Sequence, residues 1–471
     1  MKYIYILLFS FSLHIVFAQE ISVRKGGVTD DLIVNDSLSE TFAIYLPTNY
    51  SNEKIWPVFF VFDPEGRGKS VAQLFRQPGE EQGYMIVASN NINAKDSLLN
   101  NLKVGKRLMS KVFELFSVDR NRVYTAGLAE GAEVASAVPA VYSNLQGVLA
   151  VGDIWRYVDL LKNDFSIVGL VGTHDSKYYK MKESIQFLNK NGNKASLYTF
   201  DGFHEWPDPN IISSALGNFT LQSISKGLLP KDPSLVENLY EQETETSEVL
   251  RRSSQLFKSY KLLEEMKAKY ELFGKKDDLE NKLRRLEGEK LFKEQRREYN
   301  RADRKETKLK DQYLSLFKLD VFKANFENLG WWSQQIKELK AFQQGKNQAE
   351  VEMGFRLEGL LQSLAKTAFK DLNESKADID KLVFTAILET IFDKENPEGY
   401  RSIISLSASD GDYETALLYL EDLLKTGYKE MDKLYNIPGT LDLKLSPEYN
   451  SLIKKYLRES KFYNIENSVN R

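Results

Sequence analysis

Short, uninterrupted apolar runs mark the first half of the chain, and each run predicts a strand buried on both faces. These runs fall at 57–62, 84–88, 147–151 and 167–171, and residues 196–200 are predicted as a last strand. Residues 37–47 alternate polar and apolar positions, which predicts a strand with one polar face. Segments with helical spacing lie between the runs, at 102–116 and 184–188. Strands that alternate with helices predict an α/β fold, with a mostly parallel sheet covered by helices on both faces.

The pattern changes near residue 230. Residues 226–235 contain two prolines and a glycine, which is typical of a linker. Beyond Pro233 no proline occurs until Pro397, and Leu, Lys, Glu and Gln dominate. Apolar residues at spacings of three and four predict amphipathic helices. We therefore predict an α/β domain at 19–225, a linker at 226–235, a helical region at 236–395 and a distinct set of helices at 396–471.

The last of these segments contains a repeat-like pattern. Residues 410–424 resemble the second helix of a tetratricopeptide (TPR) repeat: Gly411 and Tyr413 match the turn between the helices, and Ala416 and Leu420 match packing positions. Residues 401–407 supply the expected partner helix. The resemblance implies an all-α, TPR-like domain that binds peptides or proteins on a concave surface. No 34-residue period is readable elsewhere, so a plain helical bundle that supports the first domain is the alternative.

The first 18 residues have the pattern of a cleavable signal peptide. Lys2 precedes an apolar stretch, and Val16 and Ala18 place small residues before the expected cleavage point. The stretch is too short for a good membrane span. The chain has no Cys, which excludes disulfides, thiolate metal sites and a lipid-modified cysteine. We expect a periplasmic, cell-surface or secreted protein.

Charge narrows the class of partner. The formal net charge of −3 argues against a general nucleic-acid binder. Residues 282–310 carry an excess of Lys and Arg, which indicates either an anionic surface as partner or, as we favour, a solvated helix face with ion pairs one turn apart.

The chain has only three histidines. His14 belongs to the predicted signal peptide, so His174 and His204 are the candidates for histidine chemistry.

Residues 123–132 read as a strand, a glycine-flanked turn and the start of an alanine-rich helix. This is the layout of a nucleophile elbow, the G-x-S-x-G turn that raises a reactive serine above a sheet. The glycines are Gly127 and Gly131, and the central position is Ala129.

Three segments together resemble the α/β-hydrolase superfamily, and specifically its feruloyl-esterase and polyhydroxybutyrate-depolymerase-like members. Residues 118–131 are similar to the D-x-x-R-I-Y-x-x-G-x-S-x-G region of those esterases. Residues 172–175 are similar to the G-x-x-D that carries the acid, and residues 201–207 to the G-x-H-x-W-P that carries the histidine. The resemblance covers about 190 residues and implies Asp175 as acid, His204 as base and Ala129 at the nucleophile position, in the family's chain order.

The same resemblance implies an oxyanion hole. One N–H would come from Glu130 and another from the loop after the 57–62 strand, which contains Asp63, Pro64 and Gly66. A carboxylate at Glu130 that pointed inward would oppose a developing negative charge.

The alanine decides the functional prediction, because a methyl group cannot attack a carbonyl. We predict a catalytically inactive, esterase-like scaffold that binds protein partners, for example in an envelope assembly, through its helical region. No cofactor or metal is expected. The first alternative is an ester hydrolase with another nucleophile, such as a water activated by His204, or Ser89 or Ser176. The second is a protein that binds a carbohydrate or ester ligand.

Several neighbouring residues keep two interpretations. His174 is expected on a surface loop; a metal site formed by His174, Asp175 and His204 is the disfavoured alternative. Trp155, Tyr178 and Trp206 either line a former substrate cleft or pack in the ordinary way.

Overall fold

The computed structural model describes residues 23–155 and 165–462. The predicted signal peptide lies outside these residues. Eight strands form one sheet: β1 Val28–Asn35, β2 Glu40–Tyr45, β3 Trp56–Phe62, β4 Met85–Ser89, β5 Val118–Leu128, β6 Leu145–Val151, β7 Ser166–Gly172 and β8 Lys194–Phe200.

The order of the strands in the sheet is β1-β2-β4-β3-β5-β6-β7-β8. All neighbouring pairs from β4 to β8 are parallel, whereas β2 is antiparallel to both β1 and β4. The carboxyl ends of β3 and β5 to β8 therefore meet at one edge, where ligands bind in sheets of this kind.

Helices cover both faces of the sheet and form the whole of the second half. Their bounds are α1 Gly68–Leu74, α2 Arg76–Gln82, α3 Leu98–Leu115, α4 Glu130–Ala137, α5 Tyr178–Lys190, α6 Pro209–Ser225, α7 Pro233–Arg252, α8 Leu256–Lys269, α9 Lys276–Gly288, α10 Lys290–Lys323, α11 Leu329–Gln343, α12 Gln348–Glu374, α13 Ile379–Phe392, α14 Pro397–Ser409, α15 Tyr413–Lys425, α16 Met431–Tyr435, α17 Leu441–Lys444 and α18 Pro447–Leu457. No helix in the described ranges is long and apolar enough to cross a membrane.

The apolar runs predicted as strands are strands, and β3 shows why. Every residue of β3 is buried. Val58, Phe60 and Phe62 belong to the core on one face of the sheet, and Phe59 and Val61 to the core on the other. Successive side chains of a strand point to opposite faces, so a strand covered on both sides needs apolar residues throughout. The predicted α/β class, with an all-helical second part, is confirmed.

The amino-terminal edge of the sheet differs from the prediction. The alternating segment at 37–47 contains only the six residues of β2, because a short 3-10 turn at Asp36–Leu38 and a left-handed Ser39 precede it. Strand β1 lies before that turn and was not predicted.

The late helix pair lies where the sequence placed it. Helices α14 and α15 are joined by a turn in which Gly411 has φ +85°, and the Asp412 side chain accepts a hydrogen bond from the N–H of Thr415 at 3.1 Å. Gly411 adopts a left-handed conformation that other residues rarely take. The assignment of these helices to a TPR-like repeat and the division of the chain into domains stay predictions.

A buried ion pair joins the sheet half to the helices that follow it. Lys269 of α8 lies 2.5 Å from Glu243 of α7, and both side chains are 2% exposed. The Lys269 ammonium also donates to the carbonyl of Ser214 in α6 at 2.7 Å. Removal of one partner would leave the other charge buried without compensation.

We expect Lys269→Met to lower the free energy of unfolding by about 3–5 kcal/mol, because Glu243 would then be buried and unpaired. Urea unfolding followed by circular dichroism measures this loss. Addition of Glu243→Leu should recover most of it. The control is Lys261→Met on the same helix, whose pair with Glu264 is exposed and should contribute at most about 1 kcal/mol. Equal losses in the two lysine variants would contradict a special role for the buried pair.

Candidate functional site

Ala129 occupies a strained turn between β5 and α4. Its φ is +51° and its ψ −121°, a conformation that side-chain-bearing residues adopt at a cost of about 1–3 kcal/mol. Its side chain is buried, and its N–H donates to the carbonyl of Val151 in β6 at 2.9 Å. This is the sharp strand-to-helix turn expected of a nucleophile elbow.

The two glycines of the motif are required by close packing. A Cβ atom on Gly127 would lie 2.1 Å from the carbonyl oxygen of Gly131, and one on Gly131 would lie 2.1 Å from that of Phe62. Neither distance is sterically possible. Glycine at both positions therefore lets α4 start directly against the ends of β3 and β5.

Asp175 and His204 form a hydrogen-bonded pair. The Asp175 Oδ2 lies 2.8 Å from Nδ1 of His204. The Asp175 side chain is 1% exposed and that of His204 39%, so the carboxylate is covered while the imidazole reaches solvent. The Asp175 Oδ1 accepts the N–H of Lys177 at 2.8 Å, which fixes the carboxylate. This hydrogen bond with Asp175 raises the pKa of His204, although partial burial opposes the effect.

The pair lies next to the elbow. Residue 152, which follows the carbonyl bonded to Ala129, is a glycine with φ +73°. A Cβ atom there would meet Cε1 of His204 at 2.6 Å and Oδ2 of Asp175 at 3.4 Å. The structure therefore brings Asp175 and His204 together at Gly152, directly after the residue whose carbonyl is bonded to Ala129, at the carboxyl edge of the sheet.

The predicted oxyanion-hole loop is held by Asp63. Two hydrogen bonds of 2.9 Å join the Arg67 guanidinium to the two oxygens of Asp63, and Trp206 Nε1 donates to Oδ2 at 2.8 Å. Burial acts to raise the pKa of Asp63, but the hydrogen bonds from Arg67 and Trp206 outweigh it and the pKa is lowered. Trp206 also packs edge-on against Phe75, so it connects the segment after β8 to both Asp63 and Phe75.

The N–H groups of the same loop form hydrogen bonds within the loop. Pro64 has none. The N–H groups of Glu65 and Gly66 donate to the Oδ1 and the carbonyl of Asp63, both at 3.0 Å, and that of Arg67 donates to Oδ1 at 3.4 Å. These three donors are therefore already engaged within the loop.

The charges around the elbow are mixed. Glu130 is exposed at the first position of α4. One turn later, burial and then the neighbouring charge of Asp153 raise the pKa of Glu133. Asp153 is itself paired with Lys180 at 2.6 Å. Negative side chains at this helix start disfavour an anionic intermediate.

His174 is not the surface residue that the sequence suggested. Its side chain is 13% exposed, and its ring packs against Phe203 and Phe355 with centroids 5.1 and 4.9 Å away. Burial lowers the pKa of His174. The described residues contain no group of three or more His, Asp and Glu that could hold a metal ion.

The helical half reaches the loop that carries Asp175. Arg356 of α12 donates from Nη1 to the carbonyl of Thr173 at 2.6 Å. Its other nitrogens bind Glu306 of α10 at 2.8 and 2.6 Å, and both side chains are nearly inaccessible. Ser176, one of the alternative nucleophiles, lies against Gly359 of the same helix α12. Helices α10 and α12 thus cover the loop that carries Asp175.

The remaining candidates lie elsewhere. Ser89 ends β4, which is separated from β5 by β3 in the sheet. The Arg356 guanidinium lies over the ring of Tyr178, 4.7 Å from the ring centroid, so Tyr178 is an ordinary packing residue.

The sequence did not predict a role for Gly152, Arg67 or Arg356. Gly152 could have been found, because a glycine directly after a buried strand indicates close backbone approach; Arg356 carried no signal.

Solved esterases are among the structures that a comparison matches to part of this chain. Esterase 2 from Thermogutta terrifontis is 13% identical over 44% of this chain and 98% of that protein, with a TM-score of 0.36. A ferulic acid esterase is 17% identical, over 40% and 94% of the two chains, with a TM-score of 0.33. An esterase from Pyrobaculum calidifontis is 11% identical, over 38% and 78%, with a TM-score of 0.32. No protein-family model and no curated protein matches the chain.

These likenesses concern the fold alone. By its own topology, the first half of the protein has an α/β fold with an eight-stranded, mostly parallel sheet, and an all-helical region follows it.

The two described histidines should titrate in opposite directions from their ordinary value of 6.5. We expect a pKa above 6.5 for His204 and below 6.5 for His174. Protonated His204 then stabilises the fold most below pH 6.5, and this contribution is lost as the pH rises through its folded pKa. His174 has the opposite effect on stability, because its pKa is lowered in the fold. Below pH 6.5 the unfolded chain binds a proton at this histidine before the folded chain does, so acidification destabilises the fold. A proton NMR titration of the imidazole C2–H resonances measures both values.

Asp175→Asn should lower the pKa of His204, since the hydrogen-bonded carboxylate would be lost. Asp201→Asn is the matched control, because Asp201 faces His174 at 3.6 Å and should leave the His204 titration in place. An unchanged His204 pKa in Asp175→Asn would refute the assigned pair.

Proposed function

We propose that this protein is a non-catalytic, esterase-like scaffold that binds a protein partner through its helical region. The observation that carries the proposal is Ala129, which holds the strained backbone of a nucleophile elbow and presents a methyl group there. Acyl transfer requires a hydroxyl or thiol at this point for His204 to deprotonate.

The loop geometry supports the loss of catalysis independently. An oxyanion hole needs N–H donors aimed at the place where negative charge develops, and loss of one donor costs about 10²–10³ in rate. Here the N–H groups of Glu65, Gly66 and Arg67 already bind Asp63. An exposed carboxylate at Glu130 stands at the start of α4, where the other donor would lie.

The helical half supplies the proposed binding surface. Helices α14 and α15 pack against each other, and α15 and the later helix α17 leave large apolar side chains in solvent. Leu418 of α15 is 55% exposed and Leu441 of α17 is 64% exposed. Apolar groups on a surface of stacked helix pairs suit protein recognition. With the predicted signal peptide, we infer a place in the periplasm, at the cell surface or outside the cell, and an envelope protein as partner.

Ester hydrolysis without a serine is the second candidate. It rests on Nε2 of His204, for which residues 23–155 and 165–462 provide no hydrogen-bond partner. This nitrogen could take a proton from a water molecule that attacks a bound ester.

We expect the full chain to hydrolyse 4-nitrophenyl acetate no faster than its His204→Ala variant, since neither offers a nucleophile at the elbow. Release of nitrophenolate at 405 nm (the ordinary readout of this substrate) measures both rates. A rate that is at least tenfold lower in the variant than in the full chain would contradict the scaffold proposal and favour hydrolysis by a water molecule that His204 activates.

Ala129→Ser completes this experiment. It restores the hydroxyl beside His204 but not the donors bonded to Asp63, so we expect slow acylation with little turnover. Ala140→Ser is the control, because Ala140 is exposed beyond the end of α4.

Partner binding is tested with charge placed on the helical surface. We expect Leu418→Glu to abolish the capture of an envelope protein by the full chain, because the carboxylate would be desolvated in an apolar interface. Leu99→Glu is the matched control, since Leu99 is a similarly exposed leucine in α3 of the other half. Pull-down from envelope extract with quantitative mass spectrometry provides the measurement. Equal capture by both variants would remove this surface from the proposal.

A further inference from the structure

A basic cleft lies at the opposite end of the sheet from the candidate site. It has a volume of about 450 Å³ and runs between the start of β1 and the outer face of α1. Its lining residues are Arg24, Gly26, Gly27, Val28, Lys69, Ser70, Gln73 and Arg76. Three of these side chains are cations, and none is a carboxylate.

Two of the three cations in the cleft have no ion-pair partner among the described residues. Within the described part of the chain, neither Arg24 nor Lys69 forms an ion pair. Arg76 has the carboxylate of Glu80 as its neighbour, which compensates part of its charge. Charges of one sign in a concave site reinforce one another and attract an anion.

Two glycines shape the cleft. Gly26 has φ +68°, and a Cβ atom on it would lie 2.6 Å from Cγ2 of Thr48. A Cβ atom on Gly27 would meet Cδ of Arg24 at 3.0 Å and Nε at 3.2 Å. The Arg24 side chain therefore lies close to the backbone of Gly27, and a larger residue there would make it shift.

The cleft is separate from the elbow. It lies at the edge strand β1, and three strands stand between β1 and β5 in the sheet order β1-β2-β4-β3-β5. An inference about the cleft therefore goes beyond the proposed function and does not depend on it.

We propose that this cleft binds a phosphomonoester. A guanidinium presents paired N–H donors that match two phosphate oxygens, and here two arginines and a lysine line one concavity. The cleft is larger than a phosphate group and falls in the size range of small-molecule sites, about 300–1,000 Å³. The Ser70 hydroxyl and the Gln73 amide can bind a polar group attached to the phosphate.

Isothermal titration of the full chain with glucose 6-phosphate, at constant ionic strength, tests the proposal. We expect saturable binding of glucose 6-phosphate, no binding of glucose, and at least tenfold weaker binding in Arg24→Gln and in Lys69→Gln. Lys103→Gln is the matched control, since Lys103 is an exposed lysine of α3 outside the cleft, and it should bind like the parent chain.

Gly27→Val tests the geometry without a change in charge. It should displace Arg24 and weaken binding several-fold, while the unfolding temperature shows that the fold persists. Equal binding of glucose, or binding that is unchanged in both Arg24→Gln and Lys69→Gln, would overturn the proposal.

Vesicles distinguish a soluble ligand from a lipid headgroup with the same phosphomonoester. Phosphatidylcholine vesicles with and without phosphatidic acid are compared by flotation. Binding that needs phosphatidic acid and is lost in Arg24→Gln would assign the cleft to the lipid form. Glucose 6-phosphate binding without flotation would assign it to a soluble phosphomonoester. The absence of both would refute the site.

Discussion

The close approach of backbone to backbone at the elbow is the constraint on which the site depends. Gly127 and Gly131 allow the first turn of α4 to touch the ends of β3 and β5, where any side chain would collide with a carbonyl oxygen. That contact fixes Ala129 in a conformation that alanine otherwise avoids. The strain is tolerated because the strands on either side are buried and cannot move apart. The turn therefore holds its strained geometry with an alanine at its centre.

Two buried ion pairs connect this sheet to the helices behind it. Lys269 with Glu243 and Arg356 with Glu306 each reach past their partner to a carbonyl of the α/β half, at Ser214 and Thr173. Buried pairs of this kind contribute little net stability compared with apolar packing, but they tolerate only one arrangement of the parts. We interpret them as the features that set the position of the helical half on the sheet.

Much of the fold and part of the site were readable in the sequence, for a physical reason. A parallel strand covered on both faces must be apolar throughout, so runs such as 57–62 and 167–171 can be recognised as strands from the sequence. Strand β1 does not, because it is an edge strand with Asp30 and Asp31 in its middle. Asp175 and His204 were predicted because each follows such a run within a familiar motif, and the structure places them in contact.

Other features of the site depend on tertiary packing and left no local trace. The inward turn of the N–H groups after Asp63 follows from its bonds with Arg67 and Trp206, which lies 143 residues away. The burial of His174 follows from Phe355 on a helix of the other half. Arg356 and Thr173 are 183 residues apart in the chain, and no pattern in either segment points to the other.

The bond between Arg356 and Thr173 gives the loop that carries Asp175 a structural role. Here the loop that carries Asp175 is also the foundation for α10 and α12, and any change that moves its backbone would disturb a buried guanidinium. Correct assembly of the two halves therefore depends on the backbone of this loop, whether or not the loop takes part in a reaction.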